Sequence, residues 1–292
     1  MTIIGILFAI GSLISWGFGD FFIQRSTRKV GIWETLFFIG FLGLIALFPF
    51  AKDGVLDIIT NQPRKLIILI LAAVVTLFTA LFNFEALKRG KIAIIEPIVG
   101  MELPITIGLS ITLLHERFNI YQALLSLAVF IGIMLAITEH HSHLHYHKRI
   151  FEKGVIFAGI AAVGMALTNF LTGVASQTTS PLIAIWFIHG SLAIMCLAYF
   201  VLTGKIKTVI NDFRANPKII LAESFFDNSA WICFAYATAI IPISVAISVS
   251  ESYIVLAVLL GIIINKEKLR WHQVAGATIA MFSVVALSAI TG

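Results

Sequence analysis

Apolar residues run through this chain in ten long stretches, and each stretch is separated from the next by a shorter polar segment. An apolar stretch of about 20 residues is long enough to cross the hydrocarbon core of a bilayer as an α-helix. The runs are continuous and do not alternate with polar positions, which argues against a β-barrel. The pattern predicts ten membrane-spanning helices over residues 2–24, 32–51, 66–88, 92–114, 119–138, 154–176, 180–203, 217–240, 243–264 and 270–290.

The composition supports the same class of protein. Hydrophobic residues make up 59% of the chain and charged residues only 12%, about half the charged share of a soluble domain. The first apolar run begins at Thr2 without a preceding basic segment, so we interpret it as a span and not as a signal peptide. Cys196 and Cys233 both fall in predicted spans and indicate no disulfide framework. We therefore expect an all-α, polytopic membrane protein.

The two halves of the chain resemble each other in sequence. Residues 5–10 align with residues 154–159 at an offset of 149, and residues 115–118 align with residues 266–269 at an offset of 151. The second offset also places Gln122 on Gln273. Such internal similarity is typical of repeat architectures.

The simplest interpretation is two repeats of five helices around a central cavity. The first repeat would cover residues 1–138 and the second residues 154–292, joined by a polar linker at 139–153. Because each repeat has an odd number of helices, the second inserts in the opposite orientation. This is the inverted-repeat plan of secondary transporters, whose substrate site lies near the middle of the membrane.

Basic residues are distributed unevenly between the two sides that these helices define. Loops that follow the odd-numbered spans carry sixteen of the twenty Lys and Arg residues. Basic residues of short loops remain in the cytoplasm, so we expect both termini outside. The same bias explains the pI of 9.3 without a nucleic-acid partner. The expected location is the bacterial cytoplasmic membrane.

These features together resemble the drug/metabolite transporter superfamily, EamA type. The resemblance covers essentially the whole chain and is carried by the ten spans, the two repeats, residues 15–17 (Ser-Trp-Gly), and Glu116 and Glu267, each flanked by basic residues. It implies a helical basket around a central cavity and the export or uptake of small metabolites. The family is commonly described with cytoplasmic termini, which the charge distribution here reverses. The two glutamates are interpreted as structural, pairing with an adjacent base or capping the next helix.

Eight of the fifteen acidic residues lie within the predicted spans. A charged group at the centre of a bilayer costs roughly 2.5–3.5 kcal/mol or more, so such groups usually face a cavity and serve a function. A buried acidic set without basic partners indicates proton transfer or a cationic cargo. The eight residues are Asp20, Glu34, Glu85, Glu96, Glu102, Glu223, Asp227 and Glu251.

Four of these acids are candidate proton carriers and counter-ions to a cargo, because burial among like charges favours the protonated acid. They are Asp20, Glu102, Asp227 and Glu251. Glu34 and Glu85 lie close to span ends and are interpreted as interface residues. Glu223 and Glu96 fit either a cavity or an interface role, and Pro97, Gly100 and Pro104 are expected to distort the helix that contains Glu96.

Aromatic residues accompany the acids at helical spacing. Trp16 shares a helix face with Asp20, and Trp231 shares one with Asp227. Aromatic faces beside a carboxylate form a cage for an ammonium group, although such residues also concentrate at membrane interfaces. We expect the substrate site to consist of Trp16, Asp20, Glu102, Asn169, Asp227, Trp231, Glu251 and Tyr253. His189 lies deep in a span, as either a proton relay or a hydrogen-bonded structural residue.

The linker between the repeats contains five closely spaced histidines. Such tracts can bind Zn²⁺ or Ni²⁺, but no cysteine or fixed scaffold accompanies them, so a solvated connector is the favoured interpretation. The five residues are His140, His141, His143, His145 and His147. No cofactor is expected.

The sequence thus predicts a proton-coupled secondary transporter that works by alternating access. The favoured cargo is a small amine-bearing or cationic metabolite, such as an amino acid or a quaternary ammonium compound. Catalytic motifs such as a nucleophile elbow or HExxH do not occur, so we expect no enzyme. A polytopic enzyme acting on lipid and a metal or amine sensor without turnover remain alternatives. The expected partners are a small-molecule substrate and the bilayer, with the protein a monomer or a homodimer.

Overall fold

The computed structural model describes residues 2–89, 95, 98–137, 153–253, 256 and 270–291. Over these residues all regular secondary structure is helical. The helices are α1 (Thr2–Lys29), α2 (Ile32–Asn61), α3 (Pro63–Arg89), α4 (Glu102–Leu114), α5 (Ile120–Ile137), α6 (Lys153–Thr178), α7 (Pro181–Thr203), α8 (Ile206–Ala215), α9 (Pro217–Ile240), α10 (Ile243–Ser250) and α11 (Trp271–Thr291).

Each predicted span overlaps one of these helices, and six of the described helices are long and apolar enough to cross a membrane by themselves. These six are α1, α2, α3, α6, α7 and α11, while α4 and α5 are shorter apolar helices. The 24-residue α9 carries Lys218, Glu223 and Asp227 among mostly apolar residues. The chain is therefore an integral, multi-pass membrane protein.

Proline and glycine mark several helix ends, as their backbone chemistry requires. Pro63, Pro181 and Pro217 each occupy the first position of a helix, where the missing N–H group has no helical partner to lose. The Ser180 hydroxyl caps α7 by accepting from the Ile183 N–H group at 3.3 Å.

The helix α8 was not expected, since it lies in the predicted loop between the seventh and eighth spans. It is a short amphipathic helix that buries Val209 and leaves Lys207 and Arg214 exposed. Its apolar and polar residues lie on different faces of the helix, so the helix can lie along the protein surface. Partial burial raises the pKa of the Asp212 carboxyl on this helix.

Turns interrupt the fourth and ninth predicted spans at positions 151 residues apart. The N–H group of Met101 donates to the Ile98 carbonyl at 3.2 Å, and the N–H group of Ser252 donates to the Val249 carbonyl at 3.2 Å. Each bond spans three residues, so the helix tightens and stops there.

The expected distortion of the fourth span is confirmed, but not at every residue that predicted it. Pro104 lies in the first turn of α4, where proline needs no hydrogen bond. The interruption falls instead at residues 100–101. Glu96 and Pro97 lie outside the described residues, as does most of the linker 139–153 with its five histidines.

Helices of the first half pack mainly against helices of the second half. The most extensive pairs are α1 with α9, α3 with α6, α5 with α11, and α2 with α7. Gly132 of α5 and Gly276 of α11 allow a very close approach, because a Cβ atom on Gly132 would lie 2.8 Å from the Gly276 carbonyl oxygen. This interleaving surrounds a central region with helices from both halves.

Candidate functional site

A cavity of about 70 Å³ lies at the centre of the bundle. The helices α1, α2, α3, α6, α7 and α9 contribute to it, together with the interrupted ends of α4 and α10. Seven of the eight residues predicted for the substrate site line it: Trp16, Asp20, Glu102, Asp227, Trp231, Glu251 and Tyr253. The eighth, Asn169, does not line the cavity but donates a hydrogen bond to Glu102, which does.

The four predicted carboxyl groups converge on this cavity from four separate segments of the chain. Glu102, Asp227 and Glu251 are 1%, 7% and 2% exposed, and Asp20 is partly buried. Asp20 lies close enough to both Asp227 and Glu251 for their charges to repel. The described residues that line the cavity include no Lys or Arg, so only protons or a bound cation could compensate these charges locally.

The interrupted helices bring two of the carboxyl groups together. Glu102 is the first residue of α4, directly after the turn that interrupts the fourth span. Glu251 directly follows α10, at the turn that interrupts the ninth span. Their carboxyl groups lie close enough to interact directly. Because an ionised carboxylate has no proton to donate, the two can form a hydrogen bond only when one of the pair is protonated.

Neutral donors orient the carboxyl groups. The side-chain amide of Asn169 donates to Oε2 of Glu102 at 3.3 Å. The Tyr253 hydroxyl donates to Asp20, and the indole N–H group of Trp231 donates to Asp227. These donors hold the acids in place without neutralising them, which keeps the acids available to a cation.

The predicted aromatic residues meet on one side of the cavity. The rings of Trp16 and Trp231 are 5.2 Å apart and nearly perpendicular, at 86°. The Tyr253 ring lies 6.2 Å from Trp16, and Phe234 packs behind both indoles. In a perpendicular pair the edge of one ring meets a face of the other, and the remaining faces point elsewhere. Tyr236 stacks on Phe8 at 4.8 Å and is not among the residues that line the cavity.

His189 lines the same cavity and is fixed by Asn228. The Asn228 amide donates to the carbonyl groups of Ile39 at 3.0 Å and Ser224 at 2.8 Å. Its oxygen therefore accepts from Nδ1 of His189 at 2.8 Å, and Nδ1 carries the proton. His189 is therefore hydrogen-bonded, as the structural interpretation of this residue expects.

The remaining acids occupy other positions. Glu85 pairs with Arg89 near the end of α3, and Glu34 is half-buried in the first turn of α2. Glu223 is fully buried one turn before Asp227, with the Ser26 hydroxyl facing it. It is not among the described residues that line the cavity.

Sequence reasoning missed the polar face of α3. Thr76, Thr79 and Asn83 all line the cavity, and their spacing of three and four residues places them on one helix face. Thr168 of α6 lines it too and donates to the Thr79 hydroxyl at 3.4 Å. Three small polar residues at helical spacing in an otherwise apolar helix were the available signal.

Glu116 connects the two halves instead of capping the helix that follows it. Its carboxylate accepts from the N–H groups of Ile243 at 2.7 Å and Ser244 at 3.1 Å, and from the Ser244 hydroxyl at 2.6 Å. These are the first residues of α10 in the other half of the chain, where N–H groups need acceptors. The expected structural role is present, but its target is a distant helix.

The helix that follows Glu116 is capped by other residues. Asn119 and Gln122 bond reciprocally at the start of α5, at 3.1 and 2.9 Å. Gln273 accepts from the Arg270 N–H group at 3.0 Å at the start of α11. The two glutamines that align in the sequence thus make the same bond.

The cavity is small for a metabolite site. Pockets for drug-sized ligands occupy about 300–1,000 Å³, and 70 Å³ corresponds to roughly two water volumes. In this conformation the site can therefore hold water or a small cationic group, and a bulkier molecule requires the surrounding helices to separate.

Comparisons with known proteins address the whole chain. A model of the EamA-like transporter family matches residues 3–138 and again residues 152–289. The uncharacterized protein MJ1333.1 of Methanocaldococcus jannaschii is 29% identical over 133 residues, which cover 46% of this chain and 93% of that protein. A solved structure described only as "Crystal structure of protein" has a TM-score of 0.73, with 14% identity over 98% of this chain and 96% of its own. At that identity the likeness concerns the fold alone.

Proposed function

This chain belongs to the EamA-like transporter family, and from this premise we propose that it carries a small amine-bearing or cationic metabolite across the membrane in exchange for protons. Its membership makes it a membrane transporter of the drug/metabolite type. One observation carries the finer proposal: four carboxyl groups converge on one central cavity, and its described lining contains no Lys or Arg.

The exchange of cation and proton follows from the pairing of Glu102 with Glu251. We propose that these two neighbouring carboxyl groups share one proton. When a monovalent ammonium cargo enters, the shared proton leaves to water. The two carboxylates and the bound cation then carry the same net charge as the carboxyl pair with its proton. Because one positive charge leaves for each one that enters, the exchange is electroneutral. Asp20 and Asp227 provide further counter-charge in the same cavity.

The aromatic residues supply affinity for the cation. A face of Trp16, Trp231 or Tyr253 within about 6 Å of an ammonium group stabilises it by roughly 0.5–2 kcal/mol. Since rings attract cations and not anions, the aromatic side of the cavity and its acidic groups favour the same class of cargo. An amino acid or a quaternary ammonium compound fits both features.

Alternating access is proposed to arise from two inverted repeats of five helices, residues 1–138 and 154–292, joined by the linker 139–153. The pairing of helices supports this arrangement. Exchanging each span for its counterpart in the other repeat converts the pair α1–α9 into α6–α3, and it leaves α2–α7 and α5–α11 unchanged. The two turns 151 residues apart and the double match to the family support it further. Rocking of one repeat against the other would expose the central site to each side in turn.

The proposed location is the bacterial cytoplasmic membrane, with both termini outside. The supporting observation is the concentration of Lys and Arg in one set of loops. Ten spans in one chain are enough to enclose a central site, so the protein is proposed to act as a monomer or a homodimer. A transport function also separates this protein from a lipid-modifying enzyme and from a sensor, neither of which accumulates its ligand.

Uptake into sealed proteoliposomes tests the proposal. Vesicles at pH 6 inside and pH 8 outside should accumulate radiolabelled tetramethylammonium as protons leave, and clamping the membrane potential at zero should not reduce uptake. Asp227→Asn and Asp20→Asn should abolish accumulation, while the exposed Asp53→Asn should behave as wild type. Accumulation without a pH gradient dependence would remove the proton exchange. Full activity in both cavity variants would remove the counter-ion role.

A ligand panel then narrows the cargo class. A molecule that binds only the folded protein raises its melting temperature, so amino acids, choline-like amines, polyamines, nucleosides and sugars are compared at pH 6 and pH 8. Stabilisation by amines that increases at pH 8 is expected, because deprotonated carboxylates bind the cation. Stabilisation by neutral or anionic compounds alone would contradict a cationic cargo.

A further inference from the structure

A second, larger recess lies between α3 and α6. Its volume is about 620 Å³, within the range of ligand sites. Thr79 is the one hydroxyl-bearing residue of its described lining, and the others are apolar or glycine. Phe78, Ile160 and Val163 line it and are 57%, 45% and 51% exposed. On two membrane-spanning helices such residues face lipid, so this groove opens toward the hydrocarbon of the bilayer.

The described linings of the groove and of the central cavity share one residue. Thr79 lines both of them, and it is 3% exposed. Gly164 of α6 lies directly against it, because a Cβ atom at position 164 would collide with the Thr79 side chain. Thr168, one turn further along α6, donates to the Thr79 hydroxyl at 3.4 Å and lines the cavity. One layer of small side chains therefore separates the acidic cavity from the lipid-facing groove.

The part of the groove beside Gly159 is open space between the packed helices and the lipid. A Cβ atom on Gly159 would meet no atom within 4 Å, in contrast to Gly164 five residues later. Position 164 thus lies against α3, whereas position 159 faces open space. The space can hold a hydrocarbon chain without displacing a side chain.

The sizes of the two spaces are complementary. The central cavity has room for a small cationic group but not for a hydrocarbon chain, and the groove has room for a chain but its described lining includes no charged partner. A molecule with an ammonium group at one end and an alkyl tail at the other could place each part in the space that suits it. Its path between them passes Thr79.

We propose that the groove between α3 and α6 is a lateral binding site for the alkyl tail of an amphipathic amine, which enters from the bilayer and passes its ammonium group beside Thr79 into the acidic cavity. This inference rests on the proposed function, because it takes the cavity to be the site of a cationic cargo. It adds a substrate class, lipophilic amines, and a route of entry. A lipid acyl chain is the competing occupant, and the tests below separate the two.

Two glycines provide a matched pair of variants. Gly159→Trp fills the groove with a side chain that meets open space, and Gly108→Trp on α4 does the same at another exposed helix position whose Cβ atom would meet nothing within 4 Å. Uptake of decyltrimethylammonium and of tetramethylammonium is measured for both. Gly159→Trp should reduce uptake of the decyl compound at least tenfold and leave that of tetramethylammonium within twofold of wild type. Gly108→Trp should leave both unchanged.

Equal transport of both compounds by Gly159→Trp would overturn the lateral site. A tenfold loss of both in Gly159→Trp alone would show a general distortion of α6 and would also overturn it. Failure of the wild type to transport tetramethylammonium would contradict the proposed function, and a binding measurement then decides the groove independently.

That measurement uses a decyltrimethylammonium that carries a diazirine at the end of its tail. Photolysis of the protein in nanodiscs should label peptides that contain Phe78 and Ile160, and Gly159→Trp should remove the label. Excess tetramethylammonium and the variant Asp227→Asn should each reduce labelling at least tenfold, because the ammonium group is held in the cavity. Labelling that survives both treatments would assign the groove to lipid chains and overturn the inference.

Discussion

Asn169 on α6 and Glu102 on α4 are joined by a hydrogen bond of 3.3 Å between the amide nitrogen and Oε2 of the carboxylate. Both residues are almost completely buried, at 0% and 1% exposure, and they belong to opposite halves of the chain. The other amide atom of Asn169, Oδ1, makes no hydrogen bond within the described part of the structure. The bond therefore orients an acid of the central cavity and leaves an acceptor beside it.

Removing this donor is expected to impair transport. A hydrogen bond to a charged group contributes about 1.5–3 kcal/mol, so Asn169→Ala should lower uptake of tetramethylammonium about tenfold or more at fixed pH. The measurement is initial uptake per folded protein in proteoliposomes. The control is Asn61→Ala, which removes an exposed amide that bonds only to Asp57. Unchanged uptake in Asn169→Ala would show that Glu102 needs no such support.

The proton that Glu102 and Glu251 are proposed to share predicts how cargo binding depends on pH. Since the cation replaces a proton, its apparent affinity should rise with pH, by up to tenfold per unit while one proton is released. Glu251→Gln supplies a permanently neutral partner with its own donor, so the affinity of that variant should lose this slope.

Thermal stabilisation by tetramethylammonium between pH 6 and pH 8 measures the slope in each protein. Glu85→Gln is the matched control, because that residue pairs with Arg89 on an exposed turn away from the cavity. An unchanged slope in Glu251→Gln would place the exchanging proton on another acid.

His189 is expected to contribute to stability more than to proton transfer. In His189→Ala the Asn228 oxygen, which accepts from Nδ1 at 2.8 Å, loses its donor in a buried site, at a cost of about 1–3 kcal/mol. The melting temperature should therefore fall while uptake per folded molecule stays within threefold. His189→Gln can still donate to Asn228 and should recover part of the stability. A large loss of uptake with an unchanged melting temperature would instead indicate a proton relay.

Glu116 is expected to stabilise the contact between the two halves. Glu116→Ala removes three acceptor contacts from the first residues of α10, and loss of a helix N-terminal cap alone costs about 0.5–2 kcal/mol. We expect a fall in stability of at least that size, measured by thermal unfolding in detergent. Glu85→Ala removes an exposed ion pair, which is worth about 0–1 kcal/mol, and serves as the comparison. Equal effects of the two variants would contradict the capping role.

The sequence by itself determined the class of the protein and the composition of its site. Backbone polar groups must be satisfied within each segment in lipid, so apolar runs of this length can only be helices, and the positions of the ten runs follow from local composition. The cost of an acid in hydrocarbon likewise identifies Asp20, Glu102, Asp227 and Glu251 without any knowledge of their neighbours. Both inferences depend on properties that each segment has alone.

Only the tertiary structure decided how these segments meet. Helical periodicity reports which residues share one face of one helix, but it carries no information about which helix that face contacts. The convergence of four acids on one cavity, the bond from Glu116 to α10, and the tautomer of His189 all depend on contacts between residues far apart in the chain. The position of Thr79 between the cavity and the lipid-facing groove also depends on such contacts. It is set by how closely α6 approaches α3 at Gly164.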